Sequence, residues 1–99
     1  MPERSDIPLP ADIEPIGCRG AFEGEYRCFL TDRSLEEAAT YYRQKMPEYG
    51  WRSATLEVVT DNARGLDFFK GDEWARVSVR RNCASCLGKR RVEITVRPR

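Results

Sequence analysis

Ser34-Leu35-Glu36-Glu37-Ala38-Ala39-Thr40-Tyr41-Tyr42-Arg43-Gln44-Lys45-Met46-Pro47 is the stretch from which the rest of the chain can be placed. Ser34 stands three residues before Glu37, the capping-box spacing in which each side chain serves the other's backbone N–H at a helix start. Leu35, Ala38, Ala39, Tyr42 and Met46 follow at intervals of three and four, so a 3.6-residue period aligns them on one face. Pro47 and Gly50 supply the stop. A helix with one apolar stripe must bury it against another element.

That element follows directly. After Trp51 the apolar period becomes two, and Arg52–Asp61, Leu66–Lys70, Trp74–Arg81 and Arg91–Arg97 each read as a strand. Gly71-Asp72 forms a tight hairpin turn. Centring that turn sets Leu66 against Val77 and Phe68 against Ala75 on one face, with Asp67 against Arg76 and Phe69 against Trp74 on the other. Continuing the ladder sets Val79 against Val92 and Val77 against Ile94, so the inner positions stay apolar, as a correct register requires.

On the N-terminal side, Glu14 to Leu30 reads as a further hairpin, turning near Gly20-Ala21-Phe22-Glu23-Gly24. Centred on Glu23, it opposes Ile16 to Leu30 and Cys18 to Cys28 and points all four at the core. Residues 1–12 contain Pro2, Pro8 and Pro10 and read as an extended or loosely ordered arm before a single domain over 13–99. The expected fold is α+β, ββαββββ, an antiparallel sheet with one helix packed on one face.

Composition agrees with one modest core. The 99 residues are 40% hydrophobic and 33% charged with a net charge of +1, the balance of a folded, soluble chain and not of a disordered one. No apolar run reaches the ~20 residues that span a bilayer, and no export signal precedes the fold. A cytoplasmic location is expected, the alternative being an exported chain that begins after a removed signal. Histidine is absent, which removes the commonest general base and metal ligand.

The phrases Asp6-Ile7-Pro8-Leu9-Pro10, Ser34-Leu35-Glu36-Glu37, Tyr42-Arg43, Met46-Pro47, Gly50-Trp51 and Leu66-Asp67-Phe68-Phe69-Lys70-Gly71 together resemble a small bacterial α+β domain of unknown function, often found in secreted proteins and lipoproteins. The resemblance implies a fold and an exported setting, and no activity. The four cysteines and the basic last hairpin are not part of that pattern.

Cys18 and Cys28 lie nine residues apart, whereas Cys83-Ala84-Ser85-Cys86 is a CxxC turn. Four cysteines can close a tetrahedral structural zinc site, whose −2 charge would offset the crowd of cations in the same loop. The wide first spacing argues against zinc. Facing cysteines can instead form disulfides in an oxidising compartment, or stay as small buried hydrophobes. All three readings remain open from sequence.

Arg80, Arg81, Lys89, Arg90 and Arg91 gather at the last hairpin and could contact an anion. Near-neutral overall charge disfavours nucleic acid, and cations at a hairpin tip commonly guard a sheet edge. Phe69 and Trp74 are expected on the face away from the helix with Val59 and Phe29, and Arg97 is placed to stack on Trp74. Such a patch suits a protein partner or a homodimer, or is only an aromatic cross-strand pair worth ~0.2–1 kcal/mol.

Catalytic machinery is not expected. Ser34 caps a helix, Asp32, Glu36 and Glu37 suit the helix dipole, and Asp67 has Arg76 opposite. No phosphate-binding glycine pattern is present. The reading is a non-enzymatic interaction module using the exposed sheet face. The alternative is a zinc-stabilised module, with four cysteine ligands, whose basic hairpin contacts nucleic acid or another anionic partner.

Overall fold

The computed structural model describes residues 6–17, 25–84 and 86–98, apart from the side chains of Glu25 and Tyr26. Strands β1 (Ile13–Ile16) and β2 (Glu25–Thr31) precede helix α1 (Leu35–Glu48). Strands β3 (Arg52–Ser53), β4 (Val58–Val59), β5 (Ala63–Lys70), β6 (Glu73–Arg80) and β7 (Arg90–Pro98) follow it. All pairings are antiparallel, in the order β1-β2-β7-β6-β5-β3, with β4 also on β5. The fold is thus α+β, one helix against one antiparallel sheet.

The helix forms for the reasons its residues suggest. Glu37 N–H donates to Ser34 Oγ at 3.1 Å, and Ser34 N–H donates to Glu37 Oε1 at 3.0 Å. Its far end runs through Pro47, which cannot donate to the Arg43 carbonyl and so weakens the last turn without ending it. The true stop is Gly50, at φ +94°, where a side chain would be strained. Trp51 N–H then reaches the Met46 carbonyl and Gly50 N–H the Pro47 carbonyl, both at 3.1 Å, the paired bonds of a Schellman ending.

Leu35, Ala38, Ala39, Tyr42 and Met46 pack into a core with Leu66, Phe68, Ala75, Val77, Val79, Val92, Ile94 and Val96. Each fully buried large side chain there contributes roughly 1.5–3 kcal/mol. Every register expected for the last two hairpins is present: Leu66 faces Val77, Phe68 faces Ala75, Val79 faces Val92 and Val77 faces Ile94.

Three expectations are corrected. The expected strand Arg52–Asp61 is two short pieces, β3 and β4. Between them Glu57 receives a fork from Arg43 of the helix, at 2.8 and 2.9 Å, which draws the segment off the sheet edge. In the first hairpin Ile16 faces Cys28 and Glu14 faces Leu30, so the register lies two residues from the one expected. The expected Cys18–Cys28 opposition involves Cys18, which lies outside the described residues.

The face of β2 is also reversed. Phe29 sits opposite Val92 and joins the core beneath the helix, leaving Cys28 and Leu30 on the other side of the sheet. Pairing with β7 explains this: the bulkier aromatic enters the helix-covered layer, and alternation sends its neighbours outward. The described part of the arm is docked against the domain. Ile7, Pro8 and Pro10 are buried, Trp51 Nε1 donates to the Asp6 carbonyl at 2.8 Å, and Lys70 Nζ lies 3.0 Å from the Asp6 carboxylate.

Candidate partner-binding face

The sheet face away from α1 carries the alternate residues of each strand. On it Phe69 faces Trp74, and Trp74 faces Arg97. Two guanidiniums lie against the half-buried indole, Arg76 at 5.0 Å and Arg97 at 5.4 Å from the ring centroid, within cation–π range. The stacking of Arg97 is the one its sequence position suggests. Arg76 is held from its other side by Asp67, with bonds of 2.8 and 3.1 Å, and that hydrogen-bonded carboxylate raises its pKa further.

Further along the same face lies a feature the residues did not reveal. Val58 faces Gly65, and Gly65 faces Ser78. A side chain at Gly65 would begin 3.3 Å from the Val58 Cβ, so glycine is what lets Val58 lie this close. The small floor and the aliphatic wall of Leu56 and Val58 enclose a depression of about 190 Å³, rimmed by Arg76 and Arg80. Leu56 is 83% exposed and Val58 59% exposed. Val59, expected beside Trp74, instead faces Arg64 on the helix side. The signal that could have located the depression is Gly65 inside a strand, which often marks close approach of a neighbour.

The open region is only part of the face. Cys28, Leu30 and Thr95 are buried, and Arg91 is tied to Glu93 at 2.9 Å. Among the described residues of this face Arg52, Val58, Arg76, Arg80 and Arg97 are exposed, with Glu14 at the opposite edge.

The cysteines and cations are separated by the fold. Cys83 and Cys86 are joined as a disulfide at the tip of the last hairpin, with Cα atoms 5.1 Å apart, inside the range that bridge geometry requires. Cys28 is disulfide-bonded too. Among the described residues no group of three or more His, Cys, Asp or Glu side chains could hold a metal. Arg81 donates to Asn62, Lys89 approaches Glu14 and Asp32 at 3.4 and 3.8 Å, and Arg90 bonds the carbonyls of Asp32 and Arg33. Arg80 has no side-chain partner among the described residues.

Arg81 and Arg90 also line a cleft of about 480 Å³ at the helix N-terminus with Arg64, but Glu36 and Asp61 line it as well. The cleft is therefore of mixed charge. Among the described residues no helix is long and apolar enough to cross a membrane.

The chain matches no known protein family model, no curated protein and no solved structure.

Proposed function

We propose that this chain is a non-enzymatic binding module that captures a protein partner on the sheet face away from α1. The observation that supports this best is Trp74, half-buried and flanked by Arg76 and Arg97 on a surface that continues into exposed Leu56 and Val58. Tryptophan and arginine are enriched among the few residues that dominate the energetics of protein interfaces. The bonded Cys83–Cys86 pair supports an exported setting, since disulfides persist in oxidising compartments.

The zinc-stabilised, anion-binding alternative has less behind it. Two of its four thiolates are joined to each other, and Arg81, Lys89, Arg90 and Arg91 are engaged within the fold.

Trp74→Ala tests the reading. Self-association by sedimentation and retention of proteins from the source's own cells would be compared with the native chain. The variant should unfold at nearly the same denaturant concentration yet lose about thirtyfold in affinity, the ~2 kcal/mol of an interface hot spot. Unchanged association by a normally folded Trp74→Ala chain would remove the proposal.

A further inference from the structure

We propose that the open sheet face reads an acidic protein segment: one aliphatic side chain of the partner enters the depression between Val58 and the Gly65–Ser78 pair, and a carboxylate beside it pairs with Arg80. This rests on the binding-face reading above and names its occupant.

Size comes first. The depression measures about 190 Å³. Cavities near 150 Å³ hold a benzene-sized group, while small-molecule sites run from ~300 Å³ upward. The space therefore fits one side chain of a larger partner better than a free metabolite. Its shape agrees. Gly65 and Ser78 leave a low floor, and Leu56 and Val58 raise an aliphatic wall that is otherwise left in water. Burying such a wall against an aliphatic group is favourable in proportion to the area removed.

Charge then selects the flanks. Three arginines reach this depression. Arg64 is paired with Glu36 at 3.2 Å, and Arg76 is paired with both oxygens of Asp67. Among the described residues lining the depression Asp67 is the only acid, and its charge is already matched, while Glu93, opposite Ser78, is paired with Arg91. Arg80 is exposed, faces Arg91 across the ladder and has no side-chain partner among the described residues. The uncompensated charge at the rim is therefore positive. A basic segment would meet repulsion there, whereas a carboxylate would find an arginine able to receive it through two N–H groups.

The test uses two short synthetic peptides, each with a central leucine, one flanked by glutamates and one by lysines. Each is titrated to millimolar concentration into the ¹⁵N-labelled chain. The acidic peptide should shift the amides of Val58, Gly65, Ser78 and Arg80 in a saturable way, and the basic twin should not. Arg80→Glu should weaken the acidic peptide at least about tenfold, the loss of one charge-assisted pair. Ser78→Leu, which fills the depression and leaves every charge in place, should weaken it comparably. Either variant can carry the result if the other fails to fold.

Equal binding of the two peptides would overturn the acidic preference and leave the binding-face reading standing on Trp74→Ala. Shifts confined to the Trp74 end would overturn the depression as the anchor site. No shift at all would overturn the proposal outright.

Discussion

Tyr42 places a phenol hydroxyl in the middle of an apolar core. The residue is fully buried, and its Oη has no hydrogen-bond partner among the described residues. Burial raises its pKa above the ordinary 10, because a phenolate there would lose its hydration. A raised pKa for this acid means the folded state holds the proton more tightly than the unfolded chain. Its contribution is intact below pH ~10 and is lost as pH climbs above that value. Removing an unmet polar group while keeping the ring should be neutral to favourable, so Tyr42→Phe is expected to stabilise the fold by about 1 kcal/mol and to lessen its alkaline loss. Urea unfolding at neutral and alkaline pH measures both. A loss of stability on substitution would mean that the hydroxyl does have a partner. The position of Tyr42 on the buried stripe is legible from spacing alone, but its missing partner is not, because that depends on which strand residues come to face it.

At the scale of elements, the segment between β3 and β4 shows one ion pair overriding a strand pattern. Ala54 N–H still bonds the Asp67 carbonyl at 2.9 Å, continuing the edge ladder for one more residue. Beyond it, Arg43 of α1 takes Glu57 with two bonds and the chain leaves the sheet until Val58. The hydrogen bond from Arg43 lowers the Glu57 pKa below the usual 4.5. A lowered pKa gives stability that is present above pH ~4.5 and fades as pH falls through the folded value. Both side chains keep substantial solvent contact, so the fork is worth under about 1 kcal/mol. Its effect is local. Glu57→Gln should quicken amide exchange at Val58 and Val59 while the unfolding midpoint hardly moves, and acidification of the native chain should lower the protection of those two amides relative to their intrinsic exchange rates. Unchanged exchange would show that something other than Arg43 sets the path of this segment. The alternation over Arg52–Asp61 could not announce this, since a period of two says nothing about an arginine on another element.

For the whole molecule, the chain leaves β2, crosses as α1 and re-enters at β3 on the far side of the sheet, while the last strand inserts centrally between β2 and β6. The Cys83–Cys86 bridge closes only a short loop within the β6–β7 connection. In the chain-entropy account such a loop contributes about 2 kcal/mol at most. A Cys83→Ser, Cys86→Ser double variant should therefore lose no more than that in denaturant unfolding and keep its far-face binding. A collapse of the whole sheet would show that the tip organises more than its own turn.

The helix, its cap and exit, and the β5–β6 and β6–β7 registers were determined by the sequence itself. Each follows from contacts a few residues apart, from one turn, or from a period that a single face must satisfy. The tertiary structure decided the rest: β7 at the centre, Phe29 under the helix with Cys28 and Leu30 opposite, the arm docked by Trp51 and Lys70, and the depression beside Gly65. Trp74 and Arg97 were legible because hairpin alternation places them together; Leu56, Val58 and Ser78 were not, because they meet only once an edge segment is bent back by the helix. The physical reason is common to all of these. They depend on pairings such as Glu25 with Val96 and Asp6 with Lys70, where segments remote in sequence compete for neighbours and the best combined burial selects among them.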